Sequence, residues 1–268
     1  MPLPPPDSRS TCLVTGASSG IGAEIARGLA ARGHGVTLAA RREDRLRELA
    51  AELERDHGIR AETIALDVTD EDARRDLLGD LEGRGLTVEV LVNNAGFGSG
   101  GAFVELDAEK EASMVRTNVE ALVGLTGAFL PGMVERGRGA VLNVASLIAF
   151  QPVPFQATYG ATKAAVLSFS DALHEEVRSR GVTVTAVCPG PVRTEFGASG
   201  GFGGADDKIP DRFWLEADRV AADALKALDE GDRVTVPGVR NQILALYGQH
   251  TPRSVLLRLV RRVYPVGD

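Results

Sequence analysis

The segment Thr11–Gly22, TCLVTGASSGIG, decides the fold of this 268-residue chain. It opens with an apolar run, Thr11–Thr15, that is typical of a buried strand, and it continues through closely spaced glycines into a helical pattern of apolar residues. A strand that leads through a glycine-rich turn into a helix is the first unit of a parallel sheet with right-handed crossovers. The rest of the chain repeats this alternation.

Apolar runs of strand type recur along the chain, separated by stretches with apolar residues at three- and four-residue spacing. The runs are Thr11–Thr15, Gly35–Ala40, Ala61–Leu66, Val88–Val92, Ala140–Ala145, Val182–Val187 and Arg233–Val236. Runs such as Val182–Val187 lack in-out alternation, which predicts strands that are covered on both faces. The predicted fold class is therefore α/β, with a doubly wound, mostly parallel, seven-stranded Rossmann-like sheet and helices on both faces.

Charge and composition argue against several classes of protein. The net charge of −7 predicts no nucleic-acid partner, because such a partner calls for a basic face. No apolar run of about 18 residues appears and the N-terminus lacks the features of a secretory signal, so we expect a cytoplasmic protein. The two cysteines form no CxxC pair, and the four histidines stand at unrelated spacings, so we expect solvated histidines and no metal site.

The turn after the first strand has the spacing G-x-x-x-G-x-G, formed by Gly16, Gly20 and Gly22. Glycines let a backbone approach a pyrophosphate closely, and the N–H groups and macrodipole at a helix N-terminus favour its negative charge. The turn therefore predicts a dinucleotide site. A plain strand-to-helix connector is the alternative.

A second pattern concerns proton transfer. Tyr159 and Lys163 stand four residues apart on a predicted helix, which places their side chains on the same face. A phenol titrates near pH ~10, so a tyrosine that exchanges a proton needs a neighbouring ammonium to lower its pKa. Because a lone Y-x-x-x-K pair occurs by chance in many helices, the pair carries weight only together with further residues in register.

Such residues are present, and from about residue 11 to 195 the chain resembles the short-chain dehydrogenase/reductase family. The features that carry the resemblance are TGASSGIG at Thr15–Gly22, NNAG at Asn93–Gly96, the pair Tyr159 and Lys163, Ser146 thirteen residues before Tyr159, Asn118 at the family's helix asparagine, and Pro189-Gly190 with Thr194 after the sixth strand. The resemblance implies an oxidoreductase that interconverts a carbonyl and the corresponding alcohol by hydride transfer. It also implies a homodimer or homotetramer.

The resemblance assigns catalytic roles to four residues. Tyr159 is expected to be the general acid in reduction and the general base in oxidation. Lys163 is expected to lower the pKa of Tyr159 and to bind the nicotinamide ribose, Ser146 to hydrogen-bond the substrate oxygen, and Asn118 to hold a water that links Lys163 to solvent. Thr194 is expected to hold the nicotinamide carboxamide, and capping of the next turn is its alternative role.

The end of the second strand predicts NADP(H) in preference to NAD(H). Ala40 stands where an acidic residue would bind a ribose 2′-hydroxyl, and Arg41 and Arg42 follow, able to bind a 2′-phosphate. The alternative is that both arginines are solvated residues at the start of a helix. Asp67 is expected to face the adenine, or else to cap the next helix. Asn94 is expected to be structural. The residues predicted to bind the cofactor are Gly16, Ser18, Ser19, Gly20, Ile21, Gly22, Arg41, Arg42, Asp67, Val68, Asn93, Ala95, Gly96, Tyr159, Lys163, Pro189, Val192 and Thr194.

The chain is predicted to have three parts. Residues 1–10 form a flexible N-terminal segment, residues 11–238 form one catalytic domain with a substrate loop at 191–214, and residues 239–268 form a helical extension packed on the domain or on a partner. The glycine-rich stretch Gly197–Pro210 is expected to be a flexible lid without regular structure. The extension, with five arginines and a break near Pro252, is expected to pack, with an anionic membrane surface as the less favoured alternative.

The predicted substrate walls are apolar, which indicates a ketone, aldehyde or secondary alcohol with an apolar body. These walls comprise Phe97, Leu147–Gln151, Phe155, Phe196 and Phe202–Trp214. Two other functions stay open: a cofactor-binding redox sensor on the same fold, which would usually lack Tyr159 or Lys163, and a membrane-associated enzyme that processes lipids, suggested by the basic tail.

Overall fold

The computed structural model describes residues 3–200 and 209–263. Its main sheet has seven parallel strands in the order β3-β2-β1-β4-β5-β6-β9. They are β1 (Ser10–Thr15), β2 (Val36–Ala40), β3 (Ala61–Ala65), β4 (Thr87–Asn93), β5 (Gly139–Val144), β6 (Val182–Val187) and β9 (Val234–Thr235). The doubly wound, seven-stranded fold predicted from the sequence is confirmed.

Helices cover both faces of the sheet. They are α1 (Gly20–Ala30), α2 (Glu43–His57), α3 (Glu71–Gly83), α4 (Ala108–Val115), α5 (Ala121–Arg136), α6 (Ala157–Val177), α7 (Glu195–Gly200), α8 (Ala217–Glu230), α9 (Val239–His250) and α10 (Arg253–Val263). Leucines of α1, α2 and α8 pack on one face, and apolar residues of α3, α5 and α6 pack on the other. Because both faces are buried, continuous apolar runs rather than alternating ones form the central strands.

The strand order reverses between β1 and β4, which are neighbours in the sheet. In an open α/β sheet a crevice forms at this point, beyond the carboxyl ends of the strands. Thr15 joins the two strand ends: its hydroxyl donates to the Val92 carbonyl at 3.1 Å and accepts from the backbone N–H groups of Asn94 and Ala95. The glycine turn and the loop after β4 are thereby held side by side.

Helices α4 and α5 form one rod with a π turn, Arg116–Glu120, between them. The turn contains the buried Asn118, and the N–H of Ala121 bonds five residues back to Arg116. Single π turns inside helices are frequent at functional sites. This turn brings Asn118 next to α6.

The local structure differs from the sequence-based expectations in three places. Ser10 is already the first residue of β1, so the N-terminal segment expected over residues 1–10 ends before it, and its flexibility stays a prediction. The Leu3 N–H lies near Asp229, and Pro4 is buried. Helix α7 covers the start of the stretch that was expected to have no regular structure; residues 201–208 lie outside the described part. A separate two-stranded ladder, β7 (Val192–Arg193) with β8 (Leu215–Glu216), was not predicted.

Helix α9 packs against the 3-10 turn Leu147–Phe150 beside the crevice, with Ala245 and Gly248 buried. A methyl group on Gly248 would lie 3.1 Å from the Gln151 side chain, so the contact is close. Five large apolar residues of α9 remain exposed: Val239, Ile243, Leu244, Leu246 and Tyr247. Within residues 3–200 and 209–263, no helix has the length and apolar character needed to cross a membrane.

Candidate active site

A cleft of about 820 Å³ opens at the carboxyl ends of the central strands. Loops that follow β1 to β6 line it, as expected for the point where the strand order reverses. Of the predicted site residues, all line this cleft except Gly22, Asn93 and Asn118. Most of the predicted site residues therefore lie at the cleft, and each of the three exceptions has its own physical reason.

The glycine turn has the shape needed to hold a pyrophosphate. Gly16 and Gly20 have φ angles of 65° and 57°, a conformation that side-chain-bearing residues rarely adopt, and a methyl group on Gly20 would lie 3.1 Å from Thr194. Helix α1 begins at Gly20 with no acidic residue in its first turn and no side-chain cap from Ser19. Its N–H groups and macrodipole are thus directed at the cleft, where they favour an anion.

Gly22 acts through packing rather than through contact with the cleft. A methyl group there would lie 2.4 Å from the Asn94 amide nitrogen and 2.6 Å from the Gly16 carbonyl oxygen. The missing side chain therefore lets α1 approach the loop after β4.

Asn93 does not line the cleft, so its predicted contact with the cofactor stays a prediction, whereas the structural role expected for Asn94 agrees with the geometry. As the last residue of β4, Asn93 points into the layer below the cleft, where its amide donates to Thr126 at 3.1 Å and to Asn143 at 2.9 Å. Asn94 donates to the carbonyls of Thr15 and Gly16, so it braces the glycine turn from behind. Asn93 and Asn94 are neighbours in the chain, so their side chains extend to opposite sides of the backbone.

The end of the cleft that is predicted to hold the adenosine carries positively charged side chains. The Arg42 guanidinium donates to the hydroxyls of Ser18 and Ser19 in the glycine turn. Arg41 lies close enough to Asp67 to help hold the pKa of that carboxyl below its usual range, although the main cause is hydrogen bonding from Thr69. Asp70, not Asp67, caps α3, so the capping alternative for Asp67 is excluded.

Tyr159 and Lys163 lie on α6 at the inner wall of the cleft, 8% and 5% exposed. The ammonium of Lys163 donates to the Val144 carbonyl at 2.8 Å and lies 5.9 Å from the centre of the Tyr159 ring. Ser146, which caps the turn Leu147–Phe150, forms a side-chain hydrogen bond with Tyr159. The structure thus brings the three residues together from the loop after β5 and from α6.

Burial dominates the titration of this pair. It raises the pKa of Tyr159 to about 12, although the hydrogen bond from Ser146 acts in the opposite direction. It lowers the pKa of Lys163 to about 8. Lys163 is not among the causes of the pKa shift of Tyr159, so the expectation that its ammonium lowers the pKa of the phenol stays a prediction. Tyr159 keeps its proton at neutral pH.

Asn118 lies behind the cleft instead of lining it. Its amide donates to the Phe97 carbonyl at 2.9 Å and to Thr162 at 3.1 Å, and its oxygen accepts from the Phe97 N–H. It therefore ties the loop after β4 to the helix that carries Tyr159 and Lys163. The water expected between Asn118 and Lys163 stays a prediction.

The substrate end is largely apolar. Of the predicted walls, the cleft includes Phe97, Leu147, Ile148, Gln151, Phe196, Ile209 and Trp214. Ala149, Phe150, Phe155 and residues 210–213 are not among its lining residues, and residues 202–208 lie outside the described part. The ring centroids of Phe196 and Tyr159 are 5.8 Å apart. Sequence reasoning missed Lys110, Ser113 and Thr117, although their three- and four-residue spacing on one helix face was a usable signal.

Two of the histidines that were expected to be solvated are buried or partly buried. His34 is 6% exposed, and burial lowers its pKa, while Nδ1 of the partly buried His174 lies 2.8 Å from the Val184 carbonyl. Among the described residues, no group of three or more histidine, cysteine, aspartate or glutamate side chains is placed to hold a metal ion.

With this geometry in place, comparison with known proteins identifies the family. The family model described as short chain dehydrogenase matches residues 10–200. The chain belongs to the short-chain dehydrogenase family. It is accordingly an oxidoreductase, and its glycine turn, Ser146, Tyr159 and Lys163 lie within the matched region.

Individual relatives agree with this assignment. The chain is 37% identical over 190 residues to a short chain dehydrogenase of Pseudocercospora fijiensis, a match that covers 70% of this chain and 61% of that longer protein. It is 39% identical over 214 residues to sulfoacetaldehyde reductase 2 of Chromohalobacter salexigens, covering 78% and 84% of the two chains. A solved short-chain dehydrogenase of Sphingobium yanoikuyae in complex with NADPH has a TM-score of 0.80 and 34% identity, with 97% and 96% of the chains covered.

Proposed function

We propose that this short-chain dehydrogenase interconverts a ketone or aldehyde and the corresponding alcohol, with NADP(H) as the preferred cofactor and Tyr159 as the general acid and base. The observation that carries the proposal is the cluster of the half-buried Ser146 with the buried Tyr159 and Lys163 at the inner wall of a cleft whose other end is the glycine turn.

The residues that would hold the cofactor fit its parts. The glycine turn and the first turn of α1 would bind the pyrophosphate, Arg41 and Arg42 the 2′-phosphate, Lys163 the nicotinamide ribose and Thr194 the carboxamide. When bound, the nicotinamide supplies or accepts the hydride. The chain itself supplies binding, orientation and a proton.

The protein's part in reduction is to stabilise a developing oxyanion and to give it a proton. A protonated phenol with a pKa of about 12, held by Ser146, is a suitable donor, since the alkoxide that forms is a far stronger base than the tyrosinate left behind. In the reverse direction Tyr159 must lose its proton first, and Lys163 then stabilises the tyrosinate by charge. Positioned acids and bases of this kind contribute roughly 10²- to 10⁴-fold in rate.

The preference for NADP(H) is supported by the absence of an acidic residue at Ala40 and by the position of Arg42, anchored to Ser18 and Ser19. The apolar body of the substrate is supported by the side chains of Phe97, Ile148 and Phe196 around the Tyr159 end of the cleft. Pockets of this kind bury most of a ligand and use few polar groups for orientation.

The experiment is a screen of ketones, aldehydes and alcohols with NADPH or NADP⁺, followed at the nicotinamide absorbance, with Tyr159→Phe run in parallel. We expect turnover of at least one apolar compound by the unmodified protein and loss of most of that turnover in the variant, with cofactor affinity retained. Near-normal turnover by Tyr159→Phe would show that the assignment is wrong. Assembly as a homodimer or homotetramer stays a prediction, which size-exclusion chromatography with light scattering tests.

A further inference from the structure

Glu195, the first residue of α7, lies at the adenosine end of the cleft, and the family resemblance gives it no role. One carboxylate oxygen is 2.8 Å from Nη1 of Arg42 and the other is 2.6 Å from Nη1 of Arg45. The carboxylate therefore bridges two arginines of the α2 N-terminus, although 153 and 150 residues separate it from them in the chain.

Arg42 connects this carboxylate to the predicted 2′-phosphate site. Its Nε and Nη2 atoms donate to Ser18 and Ser19 in the glycine turn, and its Nη1 atom donates to Glu195. Carboxylates and phosphates accept hydrogen bonds from the same planar fork of guanidinium N–H groups. A phosphate that binds Arg42 must therefore either share its donors with Glu195 or replace it.

Thr194 and Phe196, the neighbours of Glu195 in the chain, keep its side chain close to Arg42 and Arg45. Thr194 packs so closely on Gly20 that a methyl group there would lie 3.1 Å away, and Phe196 packs on the ring of Tyr159. Glu195 is held between two contacts inside the cleft, so its side chain remains near Arg42 and Arg45. The two guanidinium groups hold the pKa of Glu195 at about 2, so the carboxylate is ionised at any working pH.

We propose that Glu195 is a specificity-determining residue that weakens the preference for a 2′-phosphate, because its carboxylate competes with that phosphate for Arg42 and Arg45. The inference rests on the proposed NADP(H) function, and it names the residue that sets how strongly this chain discriminates between NADP(H) and NAD(H). Arg41 and Arg42 favour the phosphate, Arg45 adds a third positive charge, and Glu195 offsets part of their attraction.

The test uses two ligands that contain only the adenosine end: adenosine 2′,5′-bisphosphate and adenosine 5′-monophosphate. Calorimetric titration of the unmodified protein and of Glu195→Gln gives the ratio of the two affinities. The glutamine keeps the shape of the side chain and removes its charge, so we expect this ratio to rise about tenfold in favour of the bisphosphate, or about 1.4 kcal/mol. The affinity for the monophosphate should change by less than about twofold, which is under ~0.5 kcal/mol.

Glu216→Gln is the matched control. Glu216 is also an exposed carboxylate that pairs with an arginine, Arg193, but it does not line the cleft. An unchanged or lowered ratio in Glu195→Gln, or an equal rise in Glu216→Gln, overturns the proposal. The two proposals fail separately: a missing preference for the bisphosphate in the unmodified protein counts against the NADP(H) assignment, whereas the proposal on Glu195 depends only on the change between variants.

Discussion

Replacing Lys163 by methionine should make the protein more stable at neutral pH while it removes a predicted catalytic group. The side chain of Lys163 is 5% exposed, its ammonium donates to the Val144 carbonyl, and burial lowers its pKa from 10.5 to about 8. Methionine has a similar length and no charge to bury. The difference in unfolding free energy between the variant and the unmodified protein therefore reports what burial of an ammonium beside Tyr159 costs.

The size of the effect follows from the pKa. A shift from 10.5 to about 8, at about 1.4 kcal/mol per unit, means that burying the ammonium costs about 3 kcal/mol at pH 7. Since the pKa is lower in the folded state, the unfolded chain binds more protons between pH 8 and 10.5, and the free energy of unfolding contributed by Lys163 rises over that range. The Met variant lacks this rise, and it loses about 1–2 kcal/mol because the Val144 carbonyl has no donor.

The advantage of Lys163→Met over the unmodified protein should therefore be about 1–2 kcal/mol at pH 7 and should fall by about 2–3 kcal/mol by pH 10, which reverses its sign. Urea unfolding followed by circular dichroism at pH 7, 8.5 and 10, without cofactor, measures it. The chain has only four lysines, which keeps the background titration small. Lys226→Met is the control, because Lys226 is exposed and pairs only weakly with Glu230. A stability difference that does not depend on pH would refute the reasoning.

Three further predictions concern the cofactor, a tight turn and the C-terminal extension. Replacing both Arg41 and Arg42 by alanine should weaken NADPH binding at least tenfold, about 1.4 kcal/mol, and leave NADH binding nearly unchanged; equal losses for both cofactors in a fluorescence titration would contradict this. Gly181→Ala should destabilise the protein by about 3 kcal/mol or more in urea unfolding, because a methyl group there would lie 2.0 Å from the Gly137 carbonyl oxygen. Gly58→Ala, with a similar φ of 65° and nothing within 4 Å, should cost only about 1 kcal/mol; equal costs would show that the close contact does not matter. Deleting residues after Gly238 should lower the melting temperature, because Ala245 and Gly248 of α9 pack beside the turn Leu147–Phe150; an unchanged melting temperature would show that this packing contributes little.

The sheet was predictable because its strands share one sequence pattern, a run of residues that favour a buried strand. A strand such as β6, buried on both faces, is a run of Val, Thr and Ala residues, and the predicted and observed bounds coincide at Val182–Val187. The ladder of β7 and β8 has only two residues in each strand, too few to show a period in the sequence. Helix α7 was missed because its glycines and short length resemble a loop.

The sequence predicted which residues line the cleft where a motif places its backbone, or the end of a strand, against the cleft. The site was less predictable where the direction of a side chain decides the role. Asn93, the last residue of β4, and Asn94, the first residue after it, differ in the side to which their side chains extend. The position of Asn118 depends on a π turn that no local sequence pattern indicates. The upward pKa shift of Tyr159 depends on how many apolar groups surround it, among them Met114 and Phe196, which come from distant parts of the chain.

The central claim is that a hydride passes between nicotinamide and the carbonyl carbon of a substrate in this cleft. The most direct measurement takes a carbonyl compound that the protein reduces and NADPH carrying deuterium at nicotinamide C4, prepared separately in each of the two C4 configurations, and locates the label in the alcohol by mass spectrometry and NMR. We predict deuterium on the carbinol carbon from one of the two labelled forms and none from the other, because a cofactor held through Thr194 presents a single face to the substrate. An alcohol without deuterium from either form, at full conversion, would contradict the account.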